Sequence, residues 1–397
     1  MDSLKSRSIL VLLADHDFSF SNSKSAVSQY LTTLCLSLTQ NGYNVVCYPC
    51  NIPNDKPTTA IGKNNFFVNS KKLLKRIFPY IYSGLLARKK IASAKIIETE
   101  ILAQKSNFDL IIEFLVLGSK VGANLKNKLK VPLIIICDSP LPEQFAEMNG
   151  SKSFMKNKII EAERKSLKEA DMIICYSESM KSYINKVFSL TENIHVLPCI
   201  VWKDKLVPDK LKSKNIGFIG SFLSWHKVDV LVKAFESIAE DYPDAKLTLV
   251  GYGQEWNKIK SLVVESVYAP RIKLTGFVDD NRLSIIKSEM LIGVMPGSNW
   301  YGSPLKLFEY AEAEIAIITA KTPTICDLFS EEEVLFIDPE NNLQSLCSHL
   351  RLLLDDADLR ERMIEKAQTK MQTIYSKSQQ LYTFNQIISK TISSGIK

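Results

Sequence analysis

The sequence contains little histidine and no long hydrophobic run, and both absences narrow the possible functions. Its four histidines, at positions 16, 195, 226 and 349, are scattered over 397 residues, so no catalytic metal cluster is expected and we predict a metal-independent protein. The first apolar run, SILVLLA, is followed at once by Asp15, His16 and Asp17, which is too early for a signal peptide or a membrane span. We therefore expect a cytoplasmic protein without a transmembrane helix, whose first apolar run is a core strand.

Acidic residues are absent from one long stretch. Ten residues between positions 56 and 95 are basic and none is acidic, in a chain of net charge +7. Residues 71–90 carry apolar side chains at helical spacing, which predicts an amphipathic helix kinked at Pro79. The basic side chains beside that stripe include Lys71, Lys72, Lys75 and Arg76.

Two interpretations of residues 71–90 stay open. The helix could dock on an anionic membrane surface, which would make the protein peripheral on the inner face of the membrane. Alternatively its stripe packs on the first sheet while its basic face is solvated. No nucleic-acid-binding motif accompanies these charges, so no nucleic acid is expected as a partner.

Eight cysteines lie mostly alone on apolar runs, as reduced core thiols do. Cys47 and Cys50 form a C-x-x-C, but no second pair and no nearby histidine completes a metal shell. We expect no special role for this pair.

Short apolar runs alternate with helical patterns along nearly the whole chain, which predicts an α/β protein with doubly wound parallel sheets. After Pro198 the pattern restarts with a new first strand near residue 216. The sequence thus predicts two Rossmann-like domains, residues 1–204 and 205–375, with a cleft between them. We expect the C-terminal helix, residues 376–397, to pack back on the first domain.

The densest motif is YGSPLKLFEY, residues 301–310, which follows the apolar strand LIGVMP. Ser303 suits an N-cap and Pro304 the first helical position, so a helix should start here and offer a seat for phosphate. Lys306 would add a full charge to that seat, and Glu309 lies one turn further, within reach of ribose hydroxyls. The alternative is an ordinary capped helix with solvated Lys and Glu side chains.

This motif is similar to the second half of the Glu-x7-Glu motif of retaining glycosyltransferases of family 4, in the variant SPLKxFEYM. The resemblance covers roughly residues 105–375, because other segments follow in the family's order. They include IGFIGSFLSWHKVDVLVKAF (216–235), LTLVGYGQE (247–255), IKLTGFVD (272–279) and AIITAKTPTICDLF (316–329). The resemblance implies a GT-B fold and a place in polysaccharide biosynthesis. It also implies retaining transfer of a sugar from a nucleoside-diphosphate sugar, UDP- or GDP-linked, to a hydroxyl of a glycan or lipid-linked acceptor.

The same resemblance implies a donor site on the second domain. Its residues would be Gly220, Ser221, His226, Lys227, Gly251, Phe277, Val278, Tyr301, Gly302, Ser303, Leu305, Lys306 and Glu309. Three positions depart from the family pattern: Tyr301 replaces the first Glu of the motif, Ser221 replaces an Arg, and His226 replaces a Lys. His226 either takes over the phosphate contact, with its pKa raised by the donor diphosphate, or is a surface histidine beside Trp225.

Candidate acceptor-side residues follow or end strands of the first half. They are Asp15, His16, Glu113 and Asp138. The resemblance implies departure of the phosphate from the front face of the sugar without a strong protein base. Lys306 would then stabilise the leaving diphosphate, while Glu113 and His16 would orient the acceptor hydroxyl. The alternative is that these acidic and histidine side chains are structural caps.

Two other functions share this architecture. One is a sugar-nucleotide 2-epimerase, which needs no acceptor. The other is a non-catalytic GT-B protein that binds a nucleotide or glycan, an alternative favoured by the replaced Glu and Arg at positions 301 and 221.

Overall fold

The computed structural model describes residues 7–15, 26–48, 79–149, 154–200 and 213–395. The chain divides into two compact units: Met1–Val201 together with Leu381–Lys397, and Trp202–Gln380. Each unit is built around one parallel β-sheet with helices on it.

The sheet of the first unit has six described strands in the order β2-β1-β3-β4-β5-β6, and all described pairings are parallel. The strands are β1 (Ser8–Leu13), β2 (Asn44–Tyr48), β3 (Leu110–Phe114), β4 (Leu133–Cys137), β5 (Met172–Cys175) and β6 (Ile194–Val196). Their sequences are nearly continuous apolar runs such as LIIIC, because helices cover both faces of a parallel sheet. Most side chains of β1, β3, β4 and β5 are fully buried.

Six described helices precede the second unit: α1 (Ala26–Gln40), α2 (Pro79–Ala103), α3 (Val121–Leu129), α4 (Leu141–Asn149), α5 (Lys156–Glu169) and α6 (Glu178–Phe188). α2 contains the second half of the predicted basic helix, while residues 71–78 lie outside the described residues. The described part of α2 buries one face through Ala87, Ala94, Ile97 and Ile101 and packs against α3. Ala94, Ile97 and Ile101 lie beyond the predicted stripe, and within it Leu85 is 48% exposed and Leu86 half-buried, so both interpretations of the stripe stay open.

The second sheet has the strand order β9-β8-β7-β10-β11-β12. Its strands are β7 (Asn215–Ile219), β8 (Lys246–Val250), β9 (Ile272–Gly276), β10 (Met290–Met295), β11 (Ala316–Ala320) and β12 (Val334–Ile337). The chain runs outward from β7 to β9 and then returns to place β10 against the other side of β7. This reversal makes a topological switch point between β7 and β10, where ligands of open α/β sheets bind beyond the carboxyl ends of the strands.

The helices after β7 are α7 (Val228–Ile238), α8 (Trp256–Glu265), α9 (Asp280–Glu289), α10 (Leu305–Glu312), α11 (Pro323–Leu328), α12 (Asn342–Asp355), α13 (Ala357–Thr373) and α14 (Lys377–Gly395). α7 shows why this unit holds together: Leu231, Val232, Phe235 and Ile238 recur at helical spacing and are fully buried. None of the described helices is both long enough and apolar enough to cross a membrane.

Candidate functional site

Two glycines form the floor of the site at the carboxyl ends of β7 and β8. Gly220 and Gly251 have φ angles of +149° and +127°, which L side chains rarely adopt. A Cβ on Gly251 would lie 2.0 Å from the Gly220 carbonyl oxygen, and a Cβ on Gly220 would lie 2.0 Å from Lys306 Cε. The bare backbone of Gly220 therefore gives the aliphatic part of Lys306 its place at the switch point.

Lys306 and His226 meet above this floor. Lys306 Nζ lies 3.1 Å from His226 Nε2, and His226 Nδ1 lies 2.5 Å from the backbone oxygen of Ser221. A carbonyl oxygen only accepts, so Nδ1 carries the hydrogen, and Nε2 accepts a hydrogen bond from the Lys306 ammonium. The imidazole is neutral in this arrangement and orients the Lys306 ammonium through this hydrogen bond.

The charge states of the pair follow from their burial. Burial and the neighbouring Lys306 charge lower the pKa of His226 to about 3, against the opposing hydrogen bond to Ser221. Burial also lowers the pKa of Lys306 to about 8, with the Glu309 carboxylate acting in the other direction. At neutral pH the site holds one desolvated ammonium beside a neutral imidazole, and an arriving anion would raise both pKa values.

The helix behind Lys306 begins one residue later than predicted. Pro304 has φ −82° and ψ 66° and is the capping residue of α10, which begins at Leu305. The Leu305 N–H donates to the Ser303 carbonyl oxygen at 3.0 Å, which makes Pro304 the centre of an inverse γ-turn. The predictions of Ser303 as N-cap and of Pro304 as first helical residue were therefore wrong, because the γ-turn takes the chain into the helix. Lys306 still lies in the first turn.

Two contacts fix α10 against its surroundings. The backbone N–H of Ile219 donates to the Tyr310 hydroxyl at 2.9 Å, and this tyrosine is fully buried. Glu309 Oε2 lies 3.4 Å from Lys287 Nζ, with side chains 21% and 16% exposed. Lys287 comes from α9, and no sequence signal pointed to it, since the two residues meet only when their helices pack on the same sheet.

The residues before α10 pack inward. Tyr301 is 1% exposed, and its ring packs edge-on against Trp300 at 5.3 Å between centroids. Its side chain thus fills the core where the family motif has a carboxylate, so any ligand contact at this position would come from the backbone. The Gly302 N–H donates to Asn299 Oδ1 at 2.9 Å, which orders the loop before the helix.

Exposed aromatic rings adjoin the site at the ends of β8 and β9. Phe277 and Tyr252 are 61% and 48% exposed, and their ring centroids lie 5.9 Å apart. Tyr252 also contacts Trp256, at 4.9 Å between centroids, and Val278 follows Phe277, half-buried. Open aromatic faces of this kind suit stacking of a planar ring. Phe277 was predicted, whereas Tyr252 and Trp256 were missed although both aromatic residues follow the β8 strand in the sequence.

The remaining predicted donor residues lie around the same loop. Ser221 and Lys227 are exposed, and Lys227, with φ +49°, joins the single 3₁₀ turn at His226 to α7. Leu305, at the first position of α10, is half-buried. Of the predicted set, Lys306 lies against Gly220 and His226, and His226 in turn contacts Ser221.

In the first unit, Glu113 is fully buried near the carboxyl end of β3. Its Oε1 accepts from Ser119 Oγ at 2.6 Å, and its Oε2 accepts from the Gly122 N–H at 3.1 Å. Burial raises the pKa of Glu113 to about 7 despite these two donors. Both oxygens thus accept hydrogen bonds from residues at the start of α3. This is the geometry of a structural cap, the alternative that the sequence left open.

The other acceptor-side residues are separately engaged. Asp15 forms an ion pair with Lys90 of α2 at 2.5 Å. Asp138, which follows β4, accepts from Ser139 Oγ at 2.9 Å, and burial raises its pKa to about 6. His16 lies outside the described residues.

The metal and thiol candidates lie partly in the described ranges. There, no three histidine, cysteine, aspartate or glutamate side chains gather in a way that could hold a metal ion. Cys47 lies against Cys35 of α1, with their Sγ atoms 3.0 Å apart, while Cys50 lies outside the described residues.

Two parallel-sheet α/β units, with a lysine held over glycine backbone at the switch point of the second, define a protein of the GT-B fold. Residues 27–203 match the family model "Glycosyltransferase Family 4", and residues 203–370 match "Glycosyl transferases group 1". The chain belongs to the group 1, family 4 glycosyltransferases.

Individual relatives are distant. The chain is 28% identical over 209 residues to an uncharacterized glycosyltransferase of Haemophilus influenzae, covering 51% of this chain and 54% of that protein. The chain thus spans about half the length of this relative. It is 21% identical over 274 residues to the uncharacterized glycosyltransferase YqgM of Bacillus subtilis, covering 67% of this chain and 73% of that one.

Solved structures share the fold at low identity. Sucrose-phosphate synthase from Thermosynechococcus elongatus superposes with a TM-score of 0.72 at 16% identity, covering 98% of this chain and 100% of that one. HepE of Anabaena, in complex with UDP, gives a TM-score of 0.65 at 15% identity, with coverage of 98% and 100%.

Proposed function

We propose that the protein is a retaining glycosyltransferase that moves a sugar from a nucleoside-diphosphate sugar, with UDP as the nucleotide, to a hydroxyl of a glycan or lipid-linked acceptor. The first domain, residues 1–204, binds the acceptor, and the second, residues 205–375, binds the donor. The observation that carries the proposal is the Lys306 ammonium, held across Gly220 at the switch point and hydrogen-bonded to a neutral His226.

Three parts of the donor, its diphosphate, ribose and base, each have a binding partner in the second unit. Lys306 has three N–H donors, of which one points to His226, so the others serve the oxygens of a diphosphate. Glu309, ion-paired to Lys287, accepts from ribose hydroxyls one helical turn away. The rings of Tyr252 and Phe277 take the base by stacking. The choice of UDP is supported by HepE, whose structures contain UDP and UDP-glucose.

His226 has a more limited role here than its position in the sequence suggested. Its Nε2 faces Lys306 Nζ, so a proton gained there would place two cations 3.1 Å apart and break their hydrogen bond. We infer that His226 stays neutral until a diphosphate is bound and that it orients Lys306. The diphosphate then favours the charged form of both groups.

The chemistry requires little from the protein besides charge. The bond from the sugar C1 to the phosphate oxygen breaks, and its electron pair leaves with the diphosphate. The acceptor hydroxyl oxygen forms the new bond on the same face, and its proton passes to the departing phosphate oxygen. Lys306, desolvated and already in place, stabilises the negative charge that develops on the diphosphate. Glu113 needs no part in this scheme.

The test is Lys306→Ala, with Lys233→Ala as the matched control, an exposed lysine on α7. Transfer from UDP-sugars to an acceptor panel should fall by at least about 100-fold in Lys306→Ala, in the range found when a charge-stabilising donor is removed. The melting temperature should stay near wild type, because the lost cation was desolvated. Wild-type transfer by Lys306→Ala would refute the proposal, and so would epimerisation of the donor sugar in the absence of any acceptor.

We further propose that the basic stretch 71–90 brings the enzyme to an anionic membrane surface on the cytoplasmic side. The described part of this stretch keeps Arg88 and Lys89 exposed, while the buried face of α2 packs in the first unit. Charge reversal at Lys71, Lys72, Lys75 and Arg76 should release the protein from vesicles rich in phosphatidylglycerol. Undiminished sedimentation with those vesicles would contradict this part of the proposal.

A further inference from the structure

A cavity lies in the first unit. It has a volume of about 650 Å³ and lies between the middle of α2, the start of α3 and the start of α5. Cavities that hold small ligands measure roughly 300–1,000 Å³. None of the residues assigned to donor or acceptor binding lines it.

The rim of the cavity carries four cationic side chains from three elements. Arg88 and Lys95 come from α2, Lys120 immediately precedes α3, and Lys158 comes from the first turn of α5. Within the described residues, none of these four has an ion-pair partner. Four cations around one opening repel one another unless an anion lies between them.

The acidic side chains of the cavity do not cancel this charge. Among the described residues, Glu98 and Glu161 are the acidic ones that line it, so the described lining carries an excess of two positive charges. Glu98 is already engaged by Lys128, at 2.8 Å, and by the Asn124 amide, at 2.7 Å. Because Glu98 is engaged by these two residues, it offsets less of the positive charge of the rim than the count of lining residues suggests.

Beneath the rim the cavity is apolar. Ile91, Val121, Met155 and Ala162 form part of its lining, and the last three are buried. Phe154, 46% exposed, closes one end by lying against α2, where its ring leaves no room for a Cβ on Gly84. An exposed aromatic ring beside unpaired cations suits a ligand with one apolar and one anionic part.

We propose that this cavity binds a phosphate-bearing amphiphile, with the phosphate at Lys120 and Lys158 and the first apolar carbons on the floor beside Phe154. A free sugar or a soluble anion would leave the apolar floor unused. A neutral lipid would leave the four cations unpaired. Such a ligand is either a membrane phospholipid or a phosphate-linked lipid carrier, and both share the chemistry that the cavity recognises.

Calorimetric titration tests this with probes used as monomers, below their critical micelle concentrations: farnesyl phosphate, dihexanoyl phosphatidic acid, dihexanoyl phosphatidylcholine and inorganic phosphate. The first two should bind at least tenfold more tightly than the last two. Tighter binding of farnesyl phosphate identifies a lipid carrier as the ligand, and tighter binding of phosphatidic acid identifies a membrane phospholipid. Equal binding of inorganic phosphate or of phosphatidylcholine would overturn the proposal.

Variants then locate the binding. The double variant Lys120→Ala with Lys158→Ala should lower the affinity for the phosphate amphiphile at least tenfold. Ala92→Trp, which fills the cavity with a large ring, should lower it as much without removing charge. The matched control is Lys168→Ala with Lys186→Ala, two exposed lysines of the first unit outside the cavity lining. An equal loss in the control would mean general electrostatic attraction and would overturn the proposal.

The donor site provides an independent check. UDP affinity should be unchanged in all these variants, because the substituted residues lie in the first unit and the donor residues in the second. An unchanged UDP affinity also shows that each variant is folded. The proposal of an amphiphile site can therefore be confirmed or refuted independently of the proposed transfer reaction.

Discussion

Lys306 Nζ and His226 Nε2 lie 3.1 Å apart although 80 residues separate them in the chain. The contact forms because Lys306 lies in the first turn of the helix after β10 and His226 follows β7, and these strands are neighbours in the sheet. A base that is held neutral beside a cation that is partly desolvated is a site ready for an anion.

The alkaline pH dependence of donor binding should report on Lys306. Burial lowers its pKa to about 8 in the free protein, and a bound diphosphate raises it, so binding takes up a proton once the pH exceeds that value. UDP affinity should therefore be constant from pH 6.5 to 7.5 and fall between pH 8 and 9, as measured by calorimetry with proton uptake resolved by buffer exchange. Uridine, which has no phosphate, is the control and should show no such uptake near pH 8.5. A flat UDP profile up to pH 9 would contradict the assigned role.

The glycine at position 220 should be irreplaceable. Gly220→Ala places a Cβ 2.0 Å from Lys306 Cε at a backbone angle that alanine disfavours, and should lower the free energy of unfolding by about 2 kcal/mol or more. It should also weaken UDP binding by displacing Lys306. Gly42→Ala is the matched control, since Gly42 has φ +86° with nothing near its Cβ position. The control should lose about 1 kcal/mol of stability from backbone strain and keep its UDP affinity. Equal UDP affinity in both variants would show that Lys306 does not depend on Gly220.

The Lys287–Glu309 pair should act as one unit in ribose binding. Glu309→Ala should weaken UDP binding roughly tenfold, about 1.4 kcal/mol. Lys287→Ala should weaken UDP binding less, because the loss of the lysine only frees the Glu309 carboxylate to move. In the Glu309→Ala background, Lys287→Ala should have no further effect, a non-additivity expected for contacting residues. Lys260→Ala, an exposed lysine on α8, is the control. Fully additive losses in UDP affinity would separate the two residues and exclude positioning of Glu309 by Lys287.

Glu113 should affect stability and its pH dependence rather than transfer. Burial raises its pKa to about 7, above the ordinary value of 4.5, so the folded state holds its proton more tightly than the unfolded state. The resulting stabilisation is present below pH 4.5 and is lost as the pH rises towards 7. Urea unfolding should show a steeper loss of stability from pH 5 to 7.5 in wild type than in Glu113→Gln, which keeps an acceptor for the Gly122 N–H. Parallel profiles would contradict the buried-cap assignment.

Local patterns determined much of this protein in advance. The apolar runs of the two sheets predicted the described parallel strands, since strands covered on both faces must be apolar throughout. The motif at residues 301–310 and the ordered segments around it indicated the family, and both family models match the chain. Gly220, His226 and Lys306, which the sequence singled out as donor-binding candidates, lie together in the structure.

The tertiary structure decided what depends on packing between distant segments. Only the sheet order brings Lys287 to Glu309, and only the turn at Pro304 moves the helix start to Leu305. The sequence left open whether Glu113 orients an acceptor or is a structural cap, whereas in the fold it is fully buried with the Gly122 N–H of α3 as a donor, and Tyr301 turns into the core. The sequence encodes which residues are apolar and which elements they form. The neighbours of each polar side chain, and hence its pKa and its role, are fixed only when the helices close on the sheet.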